Sequence, residues 1–232
     1  MKRCGMHGET GKSSVQKAFL SVNHFAALVA VWWLLFAGGI ETVASWAGTD
    51  WSAGDALRRD LLFAGLFIYF IRVLFTSFYL LRRVMGWEEA ITVSLWLYLL
   101  NVGFALMGAT QKEEIGLAAG LGILMYLLGS VLNTASETMR HHWKQCPANK
   151  GKLYTRGLFG WSIHINYFGD VVLFTGVAFV SGNPWALLLP AVMAAGFVFM
   201  HIPMLDRHLA EKYGEDFRKY SNKTAKLIPF VY

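Results

Sequence analysis

Charged residues are scarce in this chain. They make up 16% of its 232 residues, against about 25% in a soluble domain, which excludes a surface wetted on every side. Cysteine is scarcer still. Cys4 and Cys146 both fall in basic segments; they read as free thiols and exclude a disulfide framework. No GxGxxG follows a strand-like run and no GxxxxGK[ST] occurs, so the two common soluble nucleotide folds are excluded. The stretch "HHWKQC" contains metal-ligating side chains, but it lacks an established spacing and a second cluster, so no metal is expected. Nothing repeats at a fixed period and no Pro- or Ser-rich linker divides the sequence. One domain is expected.

What the chain has instead is apolar length. Hydrophobic residues reach 55% and aromatics 15%. Runs such as "NHFAALVAVWWLLFAGGI" and "IGLAAGLGILMYLLGSVL" approach the roughly 20 apolar residues that cross a bilayer, well beyond a buried strand of about 4 to 8. The expectation is an all-α, polytopic integral membrane protein with about six transmembrane helices, near 19–47, 60–81, 88–109, 115–136, 161–181 and 184–204. The first run is too long and too aromatic for a signal-peptide core, so it reads as a retained span.

Lys and Arg set the orientation. With the N-terminus inside, the inner segments hold seventeen of the 21: Lys2, Arg3, Lys12 and Lys17; Arg82 and Arg83; Arg140, Lys144, Lys150, Lys152 and Arg156; and six in the tail from Arg207 to Lys226. The outer loops keep only Arg58, Arg59 and Lys112, and Arg72 lies within a span. Both termini are therefore expected in the cytosol. The two large basic segments, 137–160 and the tail from 205, suit membrane headgroups or a phosphate-bearing ligand, and no nucleic acid is expected. The tail mixes acids and aromatics and closes on "LIPFVY", which points to a folded helix and a docked terminus.

Polar side chains inside spans are costly and usually face the protein interior or a watery cavity. Candidates are Glu41, Arg72, Asn101, Asn133, His164, Asn166, Asp170 and His201. Tyr69 and Arg72 share one helical face. Asn133, Glu137, His141 and Lys144 form a polar stripe leaving the fourth span, and Asn166 and Asp170 form another entering the fifth. Each pair alone is as readily an interhelical hydrogen bond, worth about 1 kcal/mol in a membrane. Together, on one cytosolic face, they point to a site. A nucleotide suits it: Arg and Lys for phosphates, carboxylates and Asn for ribose and amide groups, and Tyr154, Tyr167 and Tyr213 for a ring.

The stretch "ETMRHHWKQCPANKGKLYTRGLFGWSIHINYFGD" resembles the C-terminal region of membrane steroid 5α-reductases and their bacterial relatives. The shared features are Pro-x-Asn-Lys-Gly, Gly-Leu-Phe and Asn-Tyr-x-Gly-Asp. The ending "KYGEDFRKYSNKTAKLIPFVY" is similar to that family and to sterol C14- and C7-reductases. The resemblance covers residues 130–232, and more weakly "GLFIYFIRVLF". It implies an NADPH-dependent reductase of a carbon–carbon double bond in a lipid, such as a 3-oxo-Δ4 steroid. Residues 1–136 would line the lipid pocket and 137–232 would carry the cofactor part. By position, Arg83, Asn133, Glu137, Lys144, Tyr154, Asn166, Asp170, His208 and Tyr213 would hold NADPH. Tyr69 would hydrogen-bond the substrate ketone, with Glu41 as its partner and Asn23 or His24 as alternatives. One departure stands out: relatives read Arg-His-Pro-Asn-Tyr where this chain has Ile163-His164-Ile165-Asn166-Tyr167. The isoprenylcysteine methyltransferases share the C-terminal architecture and follow that motif with a Glu pair. Here the comparable region reads "HIPMLDRH", which counts against S-adenosylmethionine chemistry.

Overall fold

A computed structural model describes residues 13–232; Cys4 and the basic Lys2, Arg3 and Lys12 lie outside the described residues. The fold is all-α, with no strand among the described residues. Its helices are α1 (Ser14–Phe36), α2 (Gly39–Ala47), α3 (Ala56–Phe75), α4 (Trp87–Ala109), α5 (Leu117–Gln145), α6 (Ile165–Ser181), α7 (Leu188–Gly196), α8 (Ile202–Tyr213) and α9 (Glu215–Ser221). Five segments are long and apolar enough to cross a membrane: Ser14–Phe36, Ala56–Leu80, Trp87–Ala109, Leu117–Gln145 and Pro184–Tyr213. The protein is a multi-pass membrane protein.

The expected six spans need three corrections of detail. The run 19–47 is two helices, because Gly38 adopts a left-handed backbone (φ 75°) between α1 and α2, a conformation glycine takes without steric cost. The fifth span starts at Ile165, not at 161, and its 17 residues reach only about 26 Å at 1.5 Å per residue. Residues 162–164 are held elsewhere: the amides of Ile163 and His164 donate to the carbonyls of Ala225 and Lys226 at 2.8 and 2.9 Å. The last span runs on past 204 to Tyr213. Pro203 has no N–H to give to the carbonyl four residues back, and the backbone there passes through a π turn, Phe197–His201.

Arg58 and Arg59 were expected in an outer loop. They lie in the first turn of α3, where Asp55 caps the helix by accepting from the Arg58 amide at 2.8 Å. Arg58 is only 4% exposed and donates to the carbonyls of Val180 (2.8 Å) and Glu113 (2.9 Å). Arg59 donates to Leu35 O at 2.6 Å. Leu35 and Val180 sit in the last turns of α1 and α6, where carbonyls lack helical partners and cations are favoured.

The chain divides into two compact units, one reaching to Ile123 with Val177–Leu189, the other Leu124–Gly176 with Pro190–Tyr232. In the first, α1 packs against α3 and α4, and α3 against α4. Leu28, Val31, Leu66, Leu100 and Phe104 are fully or almost fully buried there. In the second, α5 and α6 cross in backbone contact. A Cβ on Gly129 would stand 2.4 Å from Gly169 O, and one on Gly169 would stand 2.7 Å from Asn133 N. Small residues permit such approaches between membrane helices.

Candidate functional site

One set of side chains in the first unit gathers around His24. Its ring is fully buried, as is Asn101. The Asn101 amide nitrogen donates to Leu97 O at 2.7 Å and lies 3.3 Å from His24 Nε2. That bond to Leu97 fixes which end of the amide is nitrogen, so Nε2 accepts and the ring proton belongs on Nδ1. His24 Nδ1 has no hydrogen-bond partner among the described residues. The His24 ring packs edge-on to Tyr69, 5.7 Å between centroids, and to Phe70 at 5.2 Å. Arg72 lies over the Tyr69 ring at 4.8 Å, a cation–π geometry. His24 is thus the alternative partner that stands beside Tyr69. Glu41 is exposed and accepts from the Ala53 amide at 2.9 Å, which ties down the loop before α3. Arg83, also in this unit, forms a two-pronged ion pair with Glu89.

In the second unit the Gly129–Gly169 crossing brings Asn133 and Asn166 together, and Asn133 Nδ2 donates to Asn166 O at 3.0 Å. One turn along α5, Glu137 is paired with Arg140. Its second oxygen, Oε1, is buried without a hydrogen-bond partner among the described residues. Arg140, Lys212 and Glu137 all act electrostatically on Lys144, and Arg140 acts on Tyr213. Glu137, Lys144 and Tyr213 therefore share one neighbourhood, with two cations beyond the expected set. Arg140 stacks on the Phe159 ring at 5.2 Å and Lys212 on Tyr213 at 5.5 Å. Tyr154 packs between Trp143 (5.2 Å) and Phe159 (5.8 Å), against the core cluster of Leu132, Phe159 and Ile165. Asp170 lies on α6 and His208 on α8, both half-buried and engaged with neighbours.

His164 is 1% exposed, and its Nε2 lies 2.9 Å from Asp206 Oδ1. Tyr167 stacks on it at 5.5 Å and on Phe197 at 4.4 Å, with nearly parallel rings, and His201 meets Phe197 edge-on. Asp206 escapes sequence reasoning, because 42 residues separate it from His164 and no spacing rule joins them. Arg140 had a local signal, three residues after Glu137 on one helix. The departures from the reductase motif have a packing role here. Ile163 fills a core with Phe217 and Tyr220, and Ile165 fills the one with Leu132 and Phe159. The docked terminus is present as well: Ser162 Oγ lies 3.0 and 2.8 Å from the carbonyls of Lys226 and Leu227.

Residues 90–224 match a family described as a protein of unknown function, DUF1295. The Delta(14)-sterol reductase of Schizosaccharomyces pombe is 35% identical over 150 residues, 53% of this chain and 33% of that protein. Protein-S-isoprenylcysteine O-methyltransferase B of Arabidopsis thaliana is 25% identical over 190 residues, 74% of this chain and 96% of that protein. The Saccharomyces cerevisiae protein-S-isoprenylcysteine O-methyltransferase is 26% identical over 116 residues, 48% of each. The chain thus spans a third of the length of the sterol reductase it matches. The resemblance to membrane steroid reductases read from the C-terminal half is borne out.

Proposed function

The chain belongs to the DUF1295 family, and we propose that it is a membrane enzyme acting on a lipid, an NADPH-dependent reductase of a carbon–carbon double bond in an enone such as a 3-oxo-Δ4 steroid. One observation supports the choice of cofactor: Lys144 lies within electrostatic reach of two further cations, Arg140 and Lys212, and of the carboxylate of Glu137, which is paired with Arg140. A net-positive neighbourhood favours the phosphates of a dinucleotide and disfavours the sulfonium of S-adenosylmethionine. The buried, unpartnered Oε1 of Glu137 fits a ribose hydroxyl or an amide N–H, since a buried acceptor left unsatisfied is costly. Asn133, Asn166, Asp170, Tyr154, His208 and Tyr213 complete the proposed cofactor residues, and Arg83 is proposed with them by position.

When bound, NADPH would supply the hydride. The chain's own part is to hold the lipid and polarise its ketone. As hydride adds to the β-carbon, negative charge grows on the ketone oxygen, and a donor aimed there lowers the barrier. Tyr69 is the proposed donor. His24 stands beside it with an N–H that has no acceptor among the described residues, and Glu41 is the further candidate. The distribution of Lys and Arg supports cytosolic termini.

A second reading, methyl transfer from S-adenosylmethionine, is favoured by the methyltransferase relative that this chain covers almost end to end. The experiment that separates the two is cofactor binding to detergent-purified protein, with Asn166→Ala as control. Saturable NADPH binding, weakened in the variant, followed by enone reduction, upholds the reductase. Binding of S-adenosylmethionine without NADPH overturns it. Binding of neither would favour a third reading, a non-catalytic membrane scaffold or lipid-binding protein.

A further inference from the structure

We propose that the second unit carries a separate binding site for the headgroup of an anionic phospholipid. The site is an open cavity of about 320 Å³ whose lining includes Lys152, Arg156, Lys219 and Lys223, with Trp143 and Tyr220. Asp216 is the single carboxylate in the lining. None of the four cations takes part in an ion pair among the described residues. Four cations against one carboxylate leave the hollow net positive, and a phosphodiester would complement it with charge-assisted hydrogen bonds.

The neighbouring surface decides for a lipid over a free phosphate. Lys223 also lines a second hollow with Trp161, Phe230 and Val231. The Trp161 and Phe230 rings lie 6.0 Å apart. Phe230 and Val231 are 79% and 80% exposed, and Trp161 and Ile228 are 47% and 42% exposed. Exposed aromatic and aliphatic side chains beside clustered Lys and Arg are the pattern of a surface that meets a membrane interface, with apolar groups among acyl chains and cations at headgroups. The phosphate would sit among Lys152, Arg156, Lys219 and Lys223, and the first acyl carbons against Trp161 and Phe230. None of these six residues is among those proposed to hold the dinucleotide.

The test is lipid retention by the 232-residue protein in neutral detergent, read by native mass spectrometry and thermal shift. Phosphatidylglycerol, phosphatidylcholine and inorganic phosphate are titrated separately. The wild type should retain phosphatidylglycerol in preference to phosphatidylcholine. Lys219→Gln with Lys223→Gln should weaken that retention on the order of 30-fold, since each basic group at an anionic surface contributes about a fivefold factor. Lys152→Gln with Arg156→Gln should repeat the loss, so the result does not depend on one pair folding well. Arg82→Gln with Lys112→Gln removes the same charge elsewhere and should change little. Phe230→Ser should weaken the lipid while leaving any effect of inorganic phosphate unchanged. Unaltered phosphatidylglycerol retention in both cavity variants overturns the proposal, as does an equal loss in the Arg82/Lys112 variant. Protection by inorganic phosphate equal to that by phosphatidylglycerol would make this a free-phosphate site and overturn the lipid assignment.

Discussion

The imidazole of His164 and the carboxylate of Asp206 meet at 2.9 Å, His164 almost wholly buried and Asp206 17% exposed. The pair joins the entrance of α6 to α8, while Lys226 Nζ stands 3.8 Å from the other Asp206 oxygen. Asp206→Leu removes the acceptor from a buried ring nitrogen, which costs about 1–3 kcal/mol. Asp206→Asn keeps an acceptor and should restore most of that. Thermal unfolding in detergent decides the order: wild type above Asn, Asn above Leu. An Asn variant no better than Leu would sink this account.

The α5–α6 crossing leaves no room for a side chain. Gly169→Val should force the helices apart, because its Cβ would stand 2.7 Å from Asn133 N. The Asn133–Asn166 hydrogen bond should be lost with it, worth about 1 kcal/mol in a membrane, and NADPH binding should fall at least as far as in Asn166→Ala. Gly120→Ala is the control, since nothing lies within 4 Å of a Cβ there. Equal binding by the two variants would count against the crossing as the support of the site.

Arg58 has an anchoring role that its charge alone does not reveal. Arg58→Met keeps much of the stem volume but leaves the carbonyls of Val180 and Glu113 without their donor. Hydrogen bonds to a charged group contribute about 1.5–3 kcal/mol, so unfolding should occur several degrees lower. Arg82→Met, an exposed position, should be nearly silent.

Tyr220 lies in α9, beyond the last span, and its phenol donates to Phe159 O. Burial, opposed by Arg140 and reinforced by Asp206, pushes its pKa well above the usual tyrosine value. A group whose pKa is higher folded than unfolded stabilises the fold below its unfolded pKa, near 10, and loses that contribution as pH rises toward the folded value. The stability gap between wild type and Tyr220→Phe should therefore be constant from pH 6 to about 9, then shrink above about 10. A gap that widens with pH would refute the protonated, donating phenol.

Tyr69→Phe addresses the chemistry itself. If Tyr69 polarises the ketone, enone reduction should fall by about 100-fold or more with NADPH binding unchanged, and His24→Phe should lower turnover in the same direction. Full turnover in Tyr69→Phe would remove it from the mechanism.

Composition alone determined that this chain lives in a membrane and is helical. Apolar runs near bilayer length leave helices as the way to satisfy their backbone, and periodicity placed Asn133, Glu137 and Lys144 on one stripe. The motifs of the C-terminal half were legible because they are local: "PANKG", "GLF" and "KYG" each fall within a few residues. Tertiary structure decided what spacing does not encode. Asp206 reaches His164 across 42 residues, Arg58 finds a carbonyl 122 residues away, and His24 packs edge-on to Tyr69. Ile163 and Ile165, which read as losses from a polar motif, turn out to fill two cores. The reason is physical: a helical repeat fixes which face a residue occupies, while its partner on that face depends on which other helix arrives there and how closely glycines let it approach.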